Sequence, residues 1–442
     1  MKNKFDLCIV FTIISLLLSC CSNIGKNQTS NITDEEYMEK VQLEKESFSL
    51  DYFIQGLMDN TSSFIPQWNQ ESFKGKWNYI DGVFLNSIIQ LYNQTGEKKY
   101  ISFVKKFVDY YLDDNGNFVS PVGNYSGFND GELDSICESR ILFDLYKFTN
   151  DKKYLNAIEN TNNFLQGIPK TTNGYNFSHK KVYPNQIWLD GMYMYVPFYL
   201  RYALLKNDTK IFDEVTKQYK YIRDYIFDTE KKLYYHGHDT SKEIFWCNRV
   251  TGNSPAFWLR STGWFIVSLV DSIEFFPEGN NKEYLKSLLV EAIDGVMQYQ
   301  DAKTKMFYQV IDRGGEVCIV PAEKLRALKN KLYNPEEEYT QIENYVESSG
   351  SSMIAYVCMK GARCGYLDSM YAAKGREIYE AIYNHSFTDG KLNDICITAG
   401  LGPETNPVRD GTFAYYMAEP VGSNDAKGIG PFIMAYLEYK RK

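Results

Sequence analysis

Leu91-Tyr92-Asn93-Gln94-Thr95-Gly96-Glu97-Lys98-Lys99-Tyr100 returns 54 residues later as Leu145-Tyr146-Lys147-Phe148-Thr149-Asn150-Asp151-Lys152-Lys153-Tyr154. Looser copies follow at Leu204 to Phe212, at Phe275-Phe276 to Tyr284, and at Lys360 to Tyr366. In each copy an apolar helix ends, a short polar turn intervenes, and a second apolar-periodic helix begins. The flanking periodicity is helical: Phe84, Ile88, Leu91 and Tyr92 share one face, and Tyr100, Val104, Phe107 and Tyr111 share another. A helical hairpin recurring about every 50–60 residues means stacked helix pairs that share a core, roughly six or seven in a chain of this length. An open solenoid holds a stricter consensus than these copies show. A closed ring tolerates divergence because its ends protect one another. The pattern therefore predicts an all-α fold, an (α/α)6 barrel, with long inter-hairpin loops such as Gly123 to Glu132 and Lys170 to Gln186 forming a cleft at one end.

Composition agrees with a large buried core: 442 residues, 44% hydrophobic and 24% charged. The 36 Tyr, 27 Phe and 6 Trp are rich even for such a core, and aromatic clefts suit sugars, whose C–H faces stack on rings. A net charge of −8 without a basic run argues against nucleic acid or an anionic membrane surface as partner. Residues 1–19 have the features of a lipoprotein signal peptide: Lys2 and Lys4, then an apolar stretch from Cys8 to Leu18 too short for a comfortable membrane span. Leu17-Leu18-Ser19-Cys20 resembles a lipobox, with Cys20 the acylated residue and 20–45 a polar tether. The expectation is a protein of the bacterial cell envelope, periplasmic or outer-membrane associated, held to the membrane through a lipid anchor only. Residues 46–442 then form a single catalytic domain, because no shift in composition divides them. The remaining cysteines show no C-x-x-C pair and read as small buried hydrophobes.

Trp188-Leu189-Asp190-Gly191-Met192-Tyr193-Met194 places one carboxylate in an apolar run, where an acid needs a partner or a task. Helix capping is the plain alternative for Asp190, and equally for Asp134 in Gly131-Glu-Leu-Asp134-Ser-Ile136. Two acids at different hairpin starts converge across one mouth of a toroid, which is what paired-carboxylate glycoside chemistry needs. His236-Gly-His238 offers two metal ligands, but no third stands at a familiar spacing, so no metal and no cofactor is expected.

Read in order, Trp77-Asn-Tyr79, Leu133-Asp134-Ser-Ile136, His179-Lys180, Trp188-Leu-Asp190-Gly, Arg260-Ser-Thr-Gly-Trp264, Glu347-Ser-Ser-Gly350, Lys360-Gly-Ala-Arg-Cys-Gly-Tyr366 and Asn424-Asp-Ala-Lys427-Gly-Ile-Gly-Pro431 resemble the unsaturated rhamnogalacturonyl hydrolases of glycoside hydrolase family 105. The resemblance runs from about Lys76 to Tyr439 and implies the same (α/α)6 barrel. It also implies a substrate, an oligosaccharide made by a lyase, whose non-reducing uronic acid carries a C4–C5 double bond. Asp190 falls on the family's catalytic acid and Asp134 on its second acid. Tyr79, His179, Lys180, Trp188, His236, Arg260 and Trp264 fall on positions lining the sugar cleft. The implied chemistry is hydration of an enol ether. Asp190 protonates C4 and then activates water, Asp134 orients the sugar or steadies positive charge, and Arg260 or a histidine meets the uronate. Such an acid calls for a raised pKa, with Trp188 and Met192 keeping the pocket dry. Asn248 to Leu259 and Glu316 to Tyr339 depart from the family pattern. Competing readings are an unsaturated glucuronyl hydrolase, an inverting glycosidase on the same barrel, and a non-catalytic glycan-binding lipoprotein. The sequence fixes no oligomeric state.

Overall fold

The computed structural model describes residues 50–62, 66–69, 76–119 and 131–441. The expected leader and tether with Cys20, and most of the loop expected at Gly123 to Glu132, lie outside them. Chain contacts divide the molecule into Met1–Gln55 and Gly56–Lys442. The fold is that of the second unit.

Helices follow one another as hairpins: α1 Tyr79–Thr95 with α2 Lys98–Asp109, α3 Ile141–Thr149 with α4 Lys152–Gln166, and α5 Leu189–Lys206 with α6 Lys210–Ile226. They continue as α7 Leu259–Ser272 with α8 Asn280–Met297, α9 Ser348–Arg363 with α10 Met370–Ser386, and end on α11 Ala426–Tyr439. A 3-10 segment, Leu133–Arg140, leads into α3. The first member of each pair packs side by side with the next, through α1, the 3-10 segment, α5, α7, α9 and α11, and α11 returns to α1. The ring closes, and the (α/α)6 barrel expected from the repeat is the fold.

The repeated motif is a helix stop. Gly96 and Asn150 sit in the left-handed region, φ 72° and 56°, and return their N–H groups to the carbonyls of Tyr92 and Tyr146. Asn207 does the same after α5 at φ 55°. Glycine and asparagine are the residues that adopt this turn at least cost. Inner and outer helices differ as their positions demand. Every residue of α7 is buried, because it touches neighbours on all sides. The outer helix α2 buries Tyr100, Ile101, Val104, Phe107 and Val108 and keeps its lysines toward water.

Short antiparallel ribbons decorate the end where the inner helices begin. β1, Gln186–Trp188, pairs with β2, Gly237–Asp239, setting Trp188 opposite Gly237. β3, Val317–Pro321, pairs with β4, Tyr339–Glu343. The inner face of β3, Cys318 and Val320, packs with Trp258, Tyr415 and Tyr416 in one apolar cluster. A second cluster holds Tyr183, Trp188, Trp246 and Leu401. The two clusters supply rigid walls on either side of the barrel mouth.

Candidate active site

At the N-terminal ends of the inner helices lies a cavity of about 140 Å³. Tyr79, Asp134, His179, Lys180, Trp188, Asp190, Arg260 and Trp264 line it, joined by Met194, Trp258, Thr398, Ala399 and Arg409. The fold thus gathers residues spread from Tyr79 to Trp264 into one pocket. His236 stands directly behind Asp190, with Nε2 3.3 Å from Oδ2, and is not on the lining.

Neither acid is a cap. The residue before α5 is Trp188, which makes no capping bond, and Asp190 lies within the first turn. Asp134 is likewise in the first turn of its 3-10 segment. Both residues are buried, at 7% and 8% exposure. Burial of that degree is costly unless charge or hydrogen bonds answer it. For Asp134 the answer is Lys180 at 2.8 Å, with His179 Nε2 at 3.4 Å. Lys180 is shared with Glu132 at 2.7 Å. For Asp190 the answer is His236. Tyr416 meets the other nitrogen of that ring, Nδ1, at 2.7 Å. With the Tyr416 hydroxyl donating there, the ring proton sits on Nε2, the nitrogen 3.3 Å from Asp190.

Burial alone would raise the Asp190 carboxyl, but His236 outweighs it and holds it below the ordinary carboxylate range. This corrects the raised pKa expected from the sequence: a dry wall was legible there, the histidine behind the acid was not assigned that effect. Met192 is corrected as well, since Met194 is the methionine that lines the pocket. His179 moves the other way. Burial, then the neighbouring Lys180 charge, pushes it well below its usual value, so the ring is neutral. It stacks on Trp188 at 4.2 Å, and Tyr183 stacks on the same indole at 5.3 Å. Gly191 permits this closeness: a Cβ there would come within 2.9 Å of Leu133 and 3.2 Å of His179.

Arg260 is anchored in the pocket wall. One Nη donates to the Cys396 carbonyl, lies 3.9 Å from the Glu347 carboxylate, and its guanidinium sits 4.8 Å from the Trp258 ring. Trp264 stacks on Tyr193 at 4.3 Å. His238 turns away to Asn253 and Tyr221. Among the described residues no three His, Cys, Asp or Glu side chains are placed to hold a metal ion.

Trp258 carried a signal that went unread: Trp258-Leu259-Arg260 opens an inner helix just as Trp188-Leu189-Asp190 does. Thr398, Ala399 and Arg409 come from an irregular loop, and no periodicity marked them. A larger cavity, about 440 Å³, opens at the opposite ends of the inner helices. Its charges are largely matched within the protein, as Arg201–Asp144, Lys360–Asp271 and Arg363–Glu438. The smaller pocket, which holds the two buried acids, is the candidate active site.

The family model for glycosyl hydrolase family 88 matches residues 55–318 and 331–442. The chain belongs to glycosyl hydrolase family 88. As a member of family 88 it is a glycosidase, and the family 105 character of its motifs is met by structure. A family 105 glycoside hydrolase from C. acetobutylicum superimposes with a TM-score of 0.74 at 32% identity, over 88% of this chain and 98% of that one. Protein Atu3128 of Agrobacterium fabrum is 30% identical over 254 residues, 55% of this chain and 97% of its own length. The unsaturated rhamnogalacturonyl hydrolase YesR of Bacillus subtilis is 25% identical over 203 residues, 45% of this chain and 53% of its own. The stretch 319–330 lies outside the family 88 match, a narrower span than the Glu316 to Tyr339 departure read from the sequence.

Proposed function

We propose that this family 88 glycosidase is an unsaturated uronyl hydrolase. It releases the C4–C5 unsaturated uronic acid from the non-reducing end of lyase-generated oligosaccharides, with unsaturated galacturonyl-rhamnose the favoured substrate. The observation that carries the reading is Asp190: a buried carboxylate that lines an aromatic-walled pocket and is backed by His236.

The unsaturated ring is an enol ether. Protonation of C4 leaves an oxocarbenium-like cation at C5, water adds there, and the resulting hemiketal opens and frees the neighbouring sugar. Asp190 gives the proton to C4 and then accepts one from the attacking water. In the empty pocket it is ionised. An incoming uronate displaces water and brings a second negative charge beside it, and both effects drive its pKa up toward the value an acid needs. Asp134, fixed by Lys180, holds the sugar and faces the developing positive charge. Trp188, Trp258 and Trp264 line the pocket and give the sugar ring an aromatic wall.

Incubation with unsaturated oligosaccharides from several polysaccharide lyases tests this, because the conjugated double bond absorbs in the near ultraviolet. Loss of that absorbance supports the reading. Cleavage of saturated glycosides with the absorbance intact contradicts it. We further propose that Cys20 is lipidated and holds the enzyme in the cell envelope, on the strength of Leu17-Leu18-Ser19-Cys20. A Cys20→Ser protein that still partitions into detergent in acylated form would remove that part.

A further inference from the structure

The geometry points to Arg409 as the group that receives the substrate's carboxylate and so makes the pocket select uronates over neutral sugars. This rests on the uronyl hydrolase reading above. Each other cation at the pocket is already answered by acid. Lys180 is held between Glu132 and Asp134, and Arg260 stands by Glu347 and the Cys396 carbonyl. His179 is neutral. Asp134 and Asp190 add negative charge of their own, so an anionic sugar entering this pocket is repelled unless some cation remains unspent.

Arg409 is the cation least committed to a protein acid. It lines the cavity, the buried Glu419 carboxylate acts on it without forming an ion pair among the described residues, and it donates only from Nε to the Tyr415 hydroxyl at 3.3 Å. Neither Nη group has an acceptor among the described residues. The planar fork of an arginine matches a carboxylate with two parallel hydrogen bonds. The protein builds around this side chain. A Cβ on Gly400 would come within 2.3 Å of Arg409 Nη2 and 3.0 Å of the Trp188 ring, so glycine alone lets the guanidinium lie there. Tyr415, which holds Nε, also takes the Gly400 N–H at 2.9 Å. The next residue, Asp410, is bound by Lys324 at 2.5 Å. Lys324 lies in the one-turn helix Ala322–Ala327, inside the stretch 319–330 that the family model does not match. Lys324 thus props the loop that carries Arg409.

The test compares kcat/KM for an unsaturated uronyl disaccharide with that for its C6 methyl ester, in wild type, Arg409→Met and Arg409→Lys. Thermal unfolding is followed in parallel. Loss of a charged hydrogen bond lowers turnover of the acid by roughly 10- to 100-fold. The ester, which has no charge to lose, falls far less, so the preference for the acid collapses in Arg409→Met and partly returns in Arg409→Lys. An active wild type whose acid preference survives in folded Arg409→Met overturns this inference alone. A wild type inactive on every unsaturated uronide overturns it together with the reading it rests on.

Discussion

Arg260→Met separates a residue that holds the pocket up from one that holds the substrate. Arg260 is 1% exposed, and Glu347 is completely buried. Removing one partner of a buried pair costs about 3–5 kcal/mol, because the other charge is left uncompensated. Here the lower end applies. The Glu347 carboxylate keeps hydrogen bonds from Ser349 Oγ and from the Gly350 and Cys396 N–H groups. Methionine also fills much of the vacated volume beside Trp258. We therefore expect a loss of about 3 kcal/mol in denaturant unfolding. Adding Glu347→Gln removes the stranded charge, so the double variant should recover about 1–2 kcal/mol relative to simple additivity. The assay is equilibrium unfolding of the four proteins of the cycle, with kcat/KM measured on each. A fully stable Arg260→Met enzyme that has lost turnover would refute the reasoning, and would make the arginine a substrate contact first.

Asp190→Asn keeps shape but cannot give a proton to C4, so turnover should fall by about 10² or more with the fold intact, as circular dichroism and unfolding would show; near-normal turnover removes Asp190 as the acid. Stability should also depend on pH above the usual acid range. Asp81 is pushed up to about 7 by full burial, against the lowering effect of hydrogen bonds from Trp68, Asn78 and Asn69, and Glu138 is raised in the same way. The folded state keeps protons that the unfolded chain loses near pH 4, so stability declines as pH rises above that, and the Asp81 share levels above about 7. For Asp81 alone the loss between pH 5.5 and 8 is about 2 kcal/mol. Flat urea midpoints over that interval would contradict it.

The fold was legible because its decisive signals are local. A Gly or Asn stop followed by Lys-Lys-Tyr marks a hairpin wherever it falls, and ring closure follows from repetition. The lining residues that sit on helix starts were legible for the same reason, since Asp134, Asp190, Arg260 and Trp264 each belong to a short motif with a fixed place in a hairpin. What escaped depends on distant segments meeting. Arg409 reaches the pocket through an irregular loop held by Tyr415 and Lys324, and nothing near it in sequence announces a cleft. The depressed pKa of Asp190 escaped too, because it depends on His236 arriving from β1–β2 pairing, opposite Tyr416. Met192 and Met194 differ by two residues, which on a helix is half a turn, and the apolar run around them could not say which faces the sugar.

The central claim is that an acid in this pocket protonates C4 of an unsaturated uronide. The most direct measurement is the reaction in heavy water, followed by NMR or mass analysis of the released uronic acid. Hydration by C4 protonation places one solvent deuterium on C4, and Asp190→Asn slows formation of that product by about 10² or more. A released sugar that carries no deuterium at C4 would mean that the glycosidic bond is broken by another route.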